Sequence, residues 1–343
     1  MAVEITGTGR AVPSRRVTND DLAGKIETSD EWIRSHTGIG ARYFAGDDTA
    51  TSDLALEAAK KALSSAAGLD ELTGEALAEA ALSLDMIIVA SATPDFIGSP
   101  STACLVLNKL QAKKAGAMDI GAGCTGFICA LETAAGLLSL GSRKRILIIG
   151  AETLSKFIDW TDRGSCVLFG DGAGAAILEN TSSPCEGSGR KGLIRTILRA
   201  EGSGEEYLFF PRGGSRNPIK AGETIDKPIH IYMDGLAVYN FAVEAMSEII
   251  TDMLSLEGLS INDIKWIIPH QANARIIRTT ARRLKIPEKK FYLNIERYAN
   301  TSAASIPIAL DELNRNGEIN PGEMILTVGF GSGLTYGSNL IVW

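Results

Sequence analysis

Histidine is scarce in this chain: 343 residues hold three, at positions 36, 230 and 270. Any imidazole chemistry therefore falls to one of three named side chains. The five cysteines, at 104, 124, 129, 166 and 185, are odd in number, form no C-x-x-C pair and have no zinc-ligand spacing. That excludes a disulfide framework and a cysteine metal site, and fits a reduced compartment. HExxH and EF-hand patterns are missing as well, so no metal is expected. Positive charge is not in surplus: the net charge is -7 with a pI near 5.2, which opposes broad nucleic-acid binding. No charge-free apolar run is long enough to span a membrane, and MAVEITGTGRAVPSRR lacks the basic-then-apolar order of a signal peptide. The expectation is a cytoplasmic protein with no membrane or nucleic-acid partner.

What is present has globular proportions, 45% hydrophobic and 22% charged, in a length that suits about two domains. Short β-branched runs alternate with longer helical patterns: EITGTG, LALEAAKKALSSAAG, LDMIIVASAT, the helix after Cys124, RKRILIIGAET and GAGAAILEN. That order predicts a layered α/β fold. A similar order returns in GLIRTILRAEG, GLAVYNFAVEAMSEIITDMLSLEG, IKWIIPHQANARIIRTTARRL, EMILTVGFG and GSNLIVW. Residues 84–95 resemble 264–275 and 143–153 resemble 321–331 in the order of elements, so two related halves are expected, 1–182 and 183–343. The aperiodic, turn-rich NTSSPCEGSGRKG marks the boundary.

Cys124 sits in GAGCTGFICALETAAGLLSLG, where a thiol among glycines opens a long apolar helical pattern. Unpaired N–H groups at a helix N-terminus favour thiolate over thiol, and the thiolate is the nucleophile. The plain alternative is a small core cysteine. A nucleophilic thiol needs a proton acceptor or a cation nearby. His230, in IHIYM, reads by strand alternation as solvated or structural, and His36 lies in a polar turn. His270 directly follows the apolar strand KWIIP, where α/β sheets gather functional groups, and is the best candidate by elimination. Asn300, in RYANTSAASIPIALDEL, suits either a donor to a charged substrate oxygen or a helix cap. GFGSGLTYG at 329–337 suits an oxyanion hole or merely a turn. GTGRAV lacks the third glycine of a dinucleotide fingerprint, and GDGAGA runs into a strand, so neither binds nucleotide phosphates.

The contexts GAGCTGF, IIPHQAN and ANTSAAS, with TSDEWI, TDRGSCVLFGDGAGA and GFGSGLTYG, resemble β-ketoacyl-acyl carrier protein synthase III across essentially the whole chain. The resemblance implies the thiolase fold, two pseudo-repeated halves in five αβαβα layers. It also implies an acyltransferase of type II fatty acid synthesis: an acyl-CoA primer, acetyl-CoA first among them, acylates Cys124, and decarboxylating malonyl-acyl carrier protein supplies the carbon nucleophile. His270 and Asn300 would hold the enolate, and the backbone N–H groups of Cys124 and Ser332 the tetrahedral oxyanion. Acyl-CoA is a substrate, and no cofactor is implied.

Carried over residue by residue, Thr28, Trp32, Arg163 and Asn273 would bind CoA, with adenine stacked between the Trp32 ring and the Arg163 guanidinium. Phe169, Ile231 and Phe330 would line the acyl pocket. Arg275, Arg278 and Arg282 fall at i, i+3 and i+7 with Arg283 beside them, a basic stripe beside His270 for the acidic carrier protein. A homodimer is implied, the 92–103 loop reaching across to cap the partner's acyl pocket. Three positions depart from the pattern: His36 replaces an arginine that serves CoA, Ser99 falls near a frequent phenylalanine and would leave a roomier pocket, and GSG replaces GGG. Relatives of the same fold serve polyketide, quinolone and hydroxymethylglutaryl pathways. A papain-like hydrolase shares the Cys, His, Asn order but needs a paired cysteine and an aromatic that GAGCTGF lacks. A non-enzymatic binding module would leave the three matched polar residues unexplained.

Overall fold

The computed structural model describes residues 2–181, 190–224 and 229–343. The expected boundary at 182/183 and Cys185 lie outside them. Nine strands build two sheets. In the first, β1 (Ala2–Ala11), β2 (Met86–Ala90), β3 (Gly116–Ile120), β4 (Arg145–Glu152) and β5 (Gly172–Thr181) take the spatial order 1-5-4-2-3. In the second, β6 (Gly192–Ala200), β7 (Ile264–Pro269), β8 (Met324–Gly331) and β9 (Thr335–Val342) take the order 6-9-8-7. Both sheets run antiparallel, antiparallel, parallel from the same end. An isolated parallel bridge, Ile267 to Phe291, stands in the second sheet where β3 stands in the first.

The strands are apolar on both faces because both faces are covered. In β4, Leu147 and Ile149 pack into one cluster with Ala55, Ala58, Ala59 and Ala62 of helix α2 (Thr51–Ala66), while Ile146 and Ile148 pack into another. Alternate side chains point to opposite faces, so one strand feeds two cores. The second cluster is the middle of the molecule: α3 (Gly126–Ser139) and α6 (Ser305–Arg315) lie between the sheets through Phe127, Leu131, Ile306 and Leu310. Helices α4 (Gly235–Glu257) and α5 (Ala274–Leu284) cover the outer face of the second sheet. The layers are therefore αβαβα. Bare backbone lets helix and strand approach: a Cβ on Gly7 or Gly9 of β1 would fall 2.4 Å from the Ala62 carbonyl oxygen or 2.3 Å from that of Ala58.

Helix α1 (Asp30–Thr37), capped by Ser29, carries Trp32 and His36 to the rim of the site. His230 is outside any strand, since only Tyr232 and Met233 pair there; its Nδ1 lies 3.5 Å from Asp159. The isolated IHIYM pattern mimics a strand that the pairing does not extend to include it. Among the described residues no helix is long and apolar enough to cross a membrane.

Candidate active site

Cys124 lies in a 3-10 turn, Gly123–Thr125, that runs directly into α3. Gly123 adopts φ +50°, and Gly331 must lack a side chain because its Cβ would stand 2.8 Å from Cys124 Cβ. The end of β8 thus presses the nucleophile's backbone into place. His270 leaves the end of β7, its N–H donating to the Val328 carbonyl at 2.7 Å. Asn300 is held by its own N–H on the Leu168 carbonyl, 2.9 Å, and by Gly170 N–H on its carbonyl, 2.9 Å. Its side-chain Oδ1 accepts from Ser302 N–H at 2.9 Å, which leaves the Nδ2 hydrogens to donate. The three residues line one cavity of about 200 Å³ that runs to Trp32 and His36.

A second cavity, about 340 Å³, shares Cys124, Phe169 and Leu208 with the first and is otherwise walled by Leu154, Phe209, Phe210 and Ile231, with Ser302 and Ser332. The thiol stands where the two meet. Phe169 and Ile231 line this second cavity, and Phe330 does not. Phe330 lines the first cavity and packs edge-on against the His270 ring, centroids 5.3 Å apart. It belongs to the apolar cluster that joins β8 to α5.

Burial sets the protonation states. It pushes the Cys124 thiol up to about 12 and His270 down to about 3, so the site at rest holds a neutral thiol and a neutral imidazole. The expected resting thiolate is overturned because desolvation outweighs the helix terminus, with the charge of Glu152 adding to it. The His270 tautomer follows from its neighbour. Ser305 Oγ accepts from Gln271 N–H at 3.4 Å and lies 2.7 Å from His270 Nδ1, the only acceptor for its proton among the described residues. Nδ1 therefore accepts and Nε2 carries the hydrogen.

At the rim, Arg163 sits directly on Trp32, Cζ 4.6 Å from the ring centroid, and the His36 ring stacks on the same indole at 4.5 Å. The expected gap for adenine between Trp32 and Arg163 is closed here, since an inserted base needs about 7 Å, twice the contact distance. Thr28 Oγ1 is buried without a partner near Glu27, whose carbonyl accepts from Arg163 Nη1 at 3.1 Å. Asn273 caps α5, accepting from Arg275 N–H at 2.8 Å, and its Nδ2 donates to the His36 carbonyl at 3.2 Å. Arg275, Arg278, Arg282 and Arg283 are all exposed on that helix. Ser332 Oγ donates to the Leu208 carbonyl at 2.6 Å, tying the GSG turn to the pocket wall.

Sequence reasoning missed Glu152, Ser302 and Ser305. Glu152 ends the doubly buried strand β4 and is fully buried, a lone acid after a run of apolar residues. Ser302 lines the second cavity with Cys124, and its backbone N–H donates to Asn300 Oδ1 at 2.9 Å. The pattern NTSAAS contains both serines, but nothing in it says which way they point.

Two family models match, "3-Oxoacyl-[acyl-carrier-protein (ACP)] synthase III" over residues 118–202 and its C-terminal counterpart over 254–343. The chain is 47% identical to the β-ketoacyl-[acyl-carrier-protein] synthase III of Caldanaerobacter subterraneus subsp. tengcongensis, over 100% of this chain and 98% of that one. It superposes on the 3-oxoacyl-[acyl-carrier-protein] synthase III of Aquifex aeolicus with TM-score 0.86 and 40% identity, each chain covered completely. The priming β-ketosynthase of the R1128 polyketide pathway superposes with TM-score 0.87 and 30% identity, over 99% of this chain and 96% of that one. A buried cysteine, histidine and asparagine meeting at the junction of two cavities, in a fold and sequence shared end to end with these proteins, leave one assignment: the chain belongs to the β-ketoacyl-acyl carrier protein synthase III family, thiolase-fold acyltransferases of fatty acid synthesis.

Proposed function

We propose that the protein condenses an acyl-CoA primer, acetyl-CoA foremost, with malonyl-acyl carrier protein through an acyl-Cys124 intermediate. The observation that carries this is the position of Cys124, lining both the cavity that holds His270 and Asn300 and the apolar one. Acyl-CoA enters past Trp32 and His36, with Arg163 swinging from the indole to admit the nucleotide. Thr28 and the remaining Asn273 amide hydrogen serve the CoA chain. Cys124 Sγ attacks the thioester carbonyl, the oxyanion is held by the N–H groups of Cys124 and Ser332, and CoA departs. The acyl chain then lies along Phe169 and Ile231, in a space well beyond that of a methyl group.

Malonyl-carrier protein follows, docked by Arg275, Arg278, Arg282 and Arg283. Loss of carbon dioxide leaves an enolate whose oxygen receives His270 Nε2–H and Asn300 Nδ2–H, donors of a kind worth about 2.7–4 kcal/mol each. The enolate carbon attacks the acyl group, and Cys124 leaves. Decarboxylation generates the nucleophile, so neither a cofactor nor a metal enters. Phe96 and Ile97, exposed on the 92–103 loop, favour a homodimer interface there. The four described cysteines are free, which favours a reducing, cytoplasmic setting.

Intact-protein mass spectrometry with a panel of acyl-CoAs tests the reading. The acyl mass is expected on wild type and on Cys129→Ala, and not on Cys124→Ala; no acyl gain on wild type would defeat it. The R1128 likeness supports a second reading, priming of a polyketide. A preference for a non-acetyl primer with the malonyl-carrier protein of a polyketide system would favour that one.

A further inference from the structure

Gln271 follows His270 directly and lines neither cavity of the site, while His270, Ala272 and Asn273 all line the first one. It is 1% exposed, so its amide must find its partners inside the protein. Nε2 donates to the Pro269 carbonyl at 2.8 Å and to the Tyr292 carbonyl at 3.1 Å. Oε1 accepts from Asn294 N–H at 3.1 Å and from Ile295 N–H at 3.2 Å. Two carbonyls at one end and two N–H groups at the other fix which end is the oxygen, and leave no bonding position of the amide unused.

Those four bonds join the segments that carry the two enolate donors. Pro269 ends β7 and precedes His270, whereas Asn294 and Ile295 open the single-turn helix Ile295–Tyr298, with Asn300 two residues beyond it. Asn294 makes no side-chain cap of its own, so the first N–H groups of that turn are met by Gln271 instead. Between the turn and Asn300, Ala299 holds φ +59°, rare for a residue with a side chain, and such a conformation persists only where both flanks are held. On one flank Asn300 is fastened to Leu168 and Gly170. On the other, Glu312 of α6 accepts from Asn294 Nδ2 at 2.8 Å, Arg297 Nη2 at 2.8 Å and the Tyr298 hydroxyl at 2.9 Å. Glu312 ties the turn to a helix; Gln271 ties it to the end of the strand from which His270 leaves.

We propose that Gln271 is a positioning residue for decarboxylation, its amide setting the distance between His270 Nε2–H and Asn300 Nδ2–H, the two donors that must meet one enolate oxygen. Donors that converge on a single atom have to be held to within about 0.5 Å of the productive geometry by neighbours that are themselves locked. The fully bonded Gln271 amide is such a neighbour for both at once. Acylation of Cys124 calls on neither donor, so it does not depend on this spacing. With Glu312 still gripping the turn, loss of the amide loosens the spacing and leaves the fold in place.

The inference rests on the acyl-Cys124 reading, and its test separates the two. Acylation by acetyl-CoA and carbon dioxide release from malonyl-carrier protein are measured for wild type, Gln271→Met and Gln271→Glu. Methionine matches the length of the side chain and replaces none of its four bonds, so kcat for carbon dioxide release is expected to fall about tenfold, short of the roughly 10²–10³ of a donor lost outright. KM for malonyl-carrier protein and the acylation rate are expected to stay within about twofold, since only an interaction made in the decarboxylation transition state is weakened. Gln271→Glu, whose carboxyl donates at most one of the two bonds, should lower kcat in the same direction. A wild-type kcat in Gln271→Met overturns the inference, as does equal loss of both half-reactions, the mark of a merely structural role. If Gln271→Met fails to fold, the same two rates in Gln271→Glu decide. A wild type that gains no acyl mass defeats the functional reading itself.

Discussion

Ser305→Ala isolates the tautomer of His270. Ser305 and His270 are both buried, and the 2.7 Å contact is the only partner that Nδ1 has among the described residues. Removing the hydroxyl orphans a buried acceptor, at a cost of about 1–3 kcal/mol in stability. The kinetic effect has an upper bound in losing the Nε2–H donor outright, about 2.7–4 kcal/mol or roughly 10²–10³ in rate. The variant keeps the ring and loses only what fixes it, a net hydrogen bond of about 1 kcal/mol, so release of carbon dioxide from malonyl-carrier protein should slow by about fivefold. Acylation of Cys124 should stay near wild type, and Ser305→Thr should restore the lost rate. Because the chain has three histidines, selective ¹⁵N-imidazole labelling reads the tautomer directly, with Nε2–H expected in wild type and a mixture in the variant. A wild-type spectrum showing Nδ1–H, or an unchanged decarboxylation rate in Ser305→Ala, would refute the reasoning.

Three further outcomes follow from protonation and charge. With the thiol near 12, alkylation of the free enzyme at Cys124 by iodoacetamide should keep rising about tenfold per pH unit through pH 9; a plateau near neutrality would mean a resting thiolate. Burial holds His270 near 3, below its ordinary value of 6.5, so stability is full above pH 6.5 and is lost as the pH falls towards 3. This single group accounts for about 2 kcal/mol at pH 5, and urea unfolding of His270→Ala should show a shallower loss between pH 7 and pH 5. Arg275→Glu combined with Arg282→Glu should raise KM for malonyl-carrier protein while sparing acylation by acyl-CoA; equal loss of both half-reactions would assign these arginines to the fold instead.

The strands were legible because doubly covered sheets demand unbroken apolar runs, as in MIIVA of β2 and RILIIG of β4, and no other soluble layer arrangement uses them so densely. Cys124 and His270 stood out as candidates because each adjoins a run whose end can be located, whereas Asn300 read equally as a helix cap until its context ANTSAAS joined the resemblance. Phe330, carried over with the acyl pocket by resemblance, lines the cavity of Cys124, His270 and Asn300 instead, and the period of a strand could not have said so, since it gives two faces and not which cavity each one meets. The Trp32 and Arg163 pair was found, yet its closed stacking was not, since rotamers of exposed side chains leave no trace in spacing.

By itself, then, the sequence determined the layered α/β plan, because periodicity and turn residues are local properties, and it singled out Cys124, His270 and Asn300 as candidates through the resemblance that their contexts carry. Tertiary structure alone decided the protonation of the site and the company it keeps. A thiol near 12, an imidazole near 3 and a fully buried carboxylate arise from desolvation where the turn carrying Cys124, the end of β4 and the end of β7 are packed into one interior, segments that only the fold brings together.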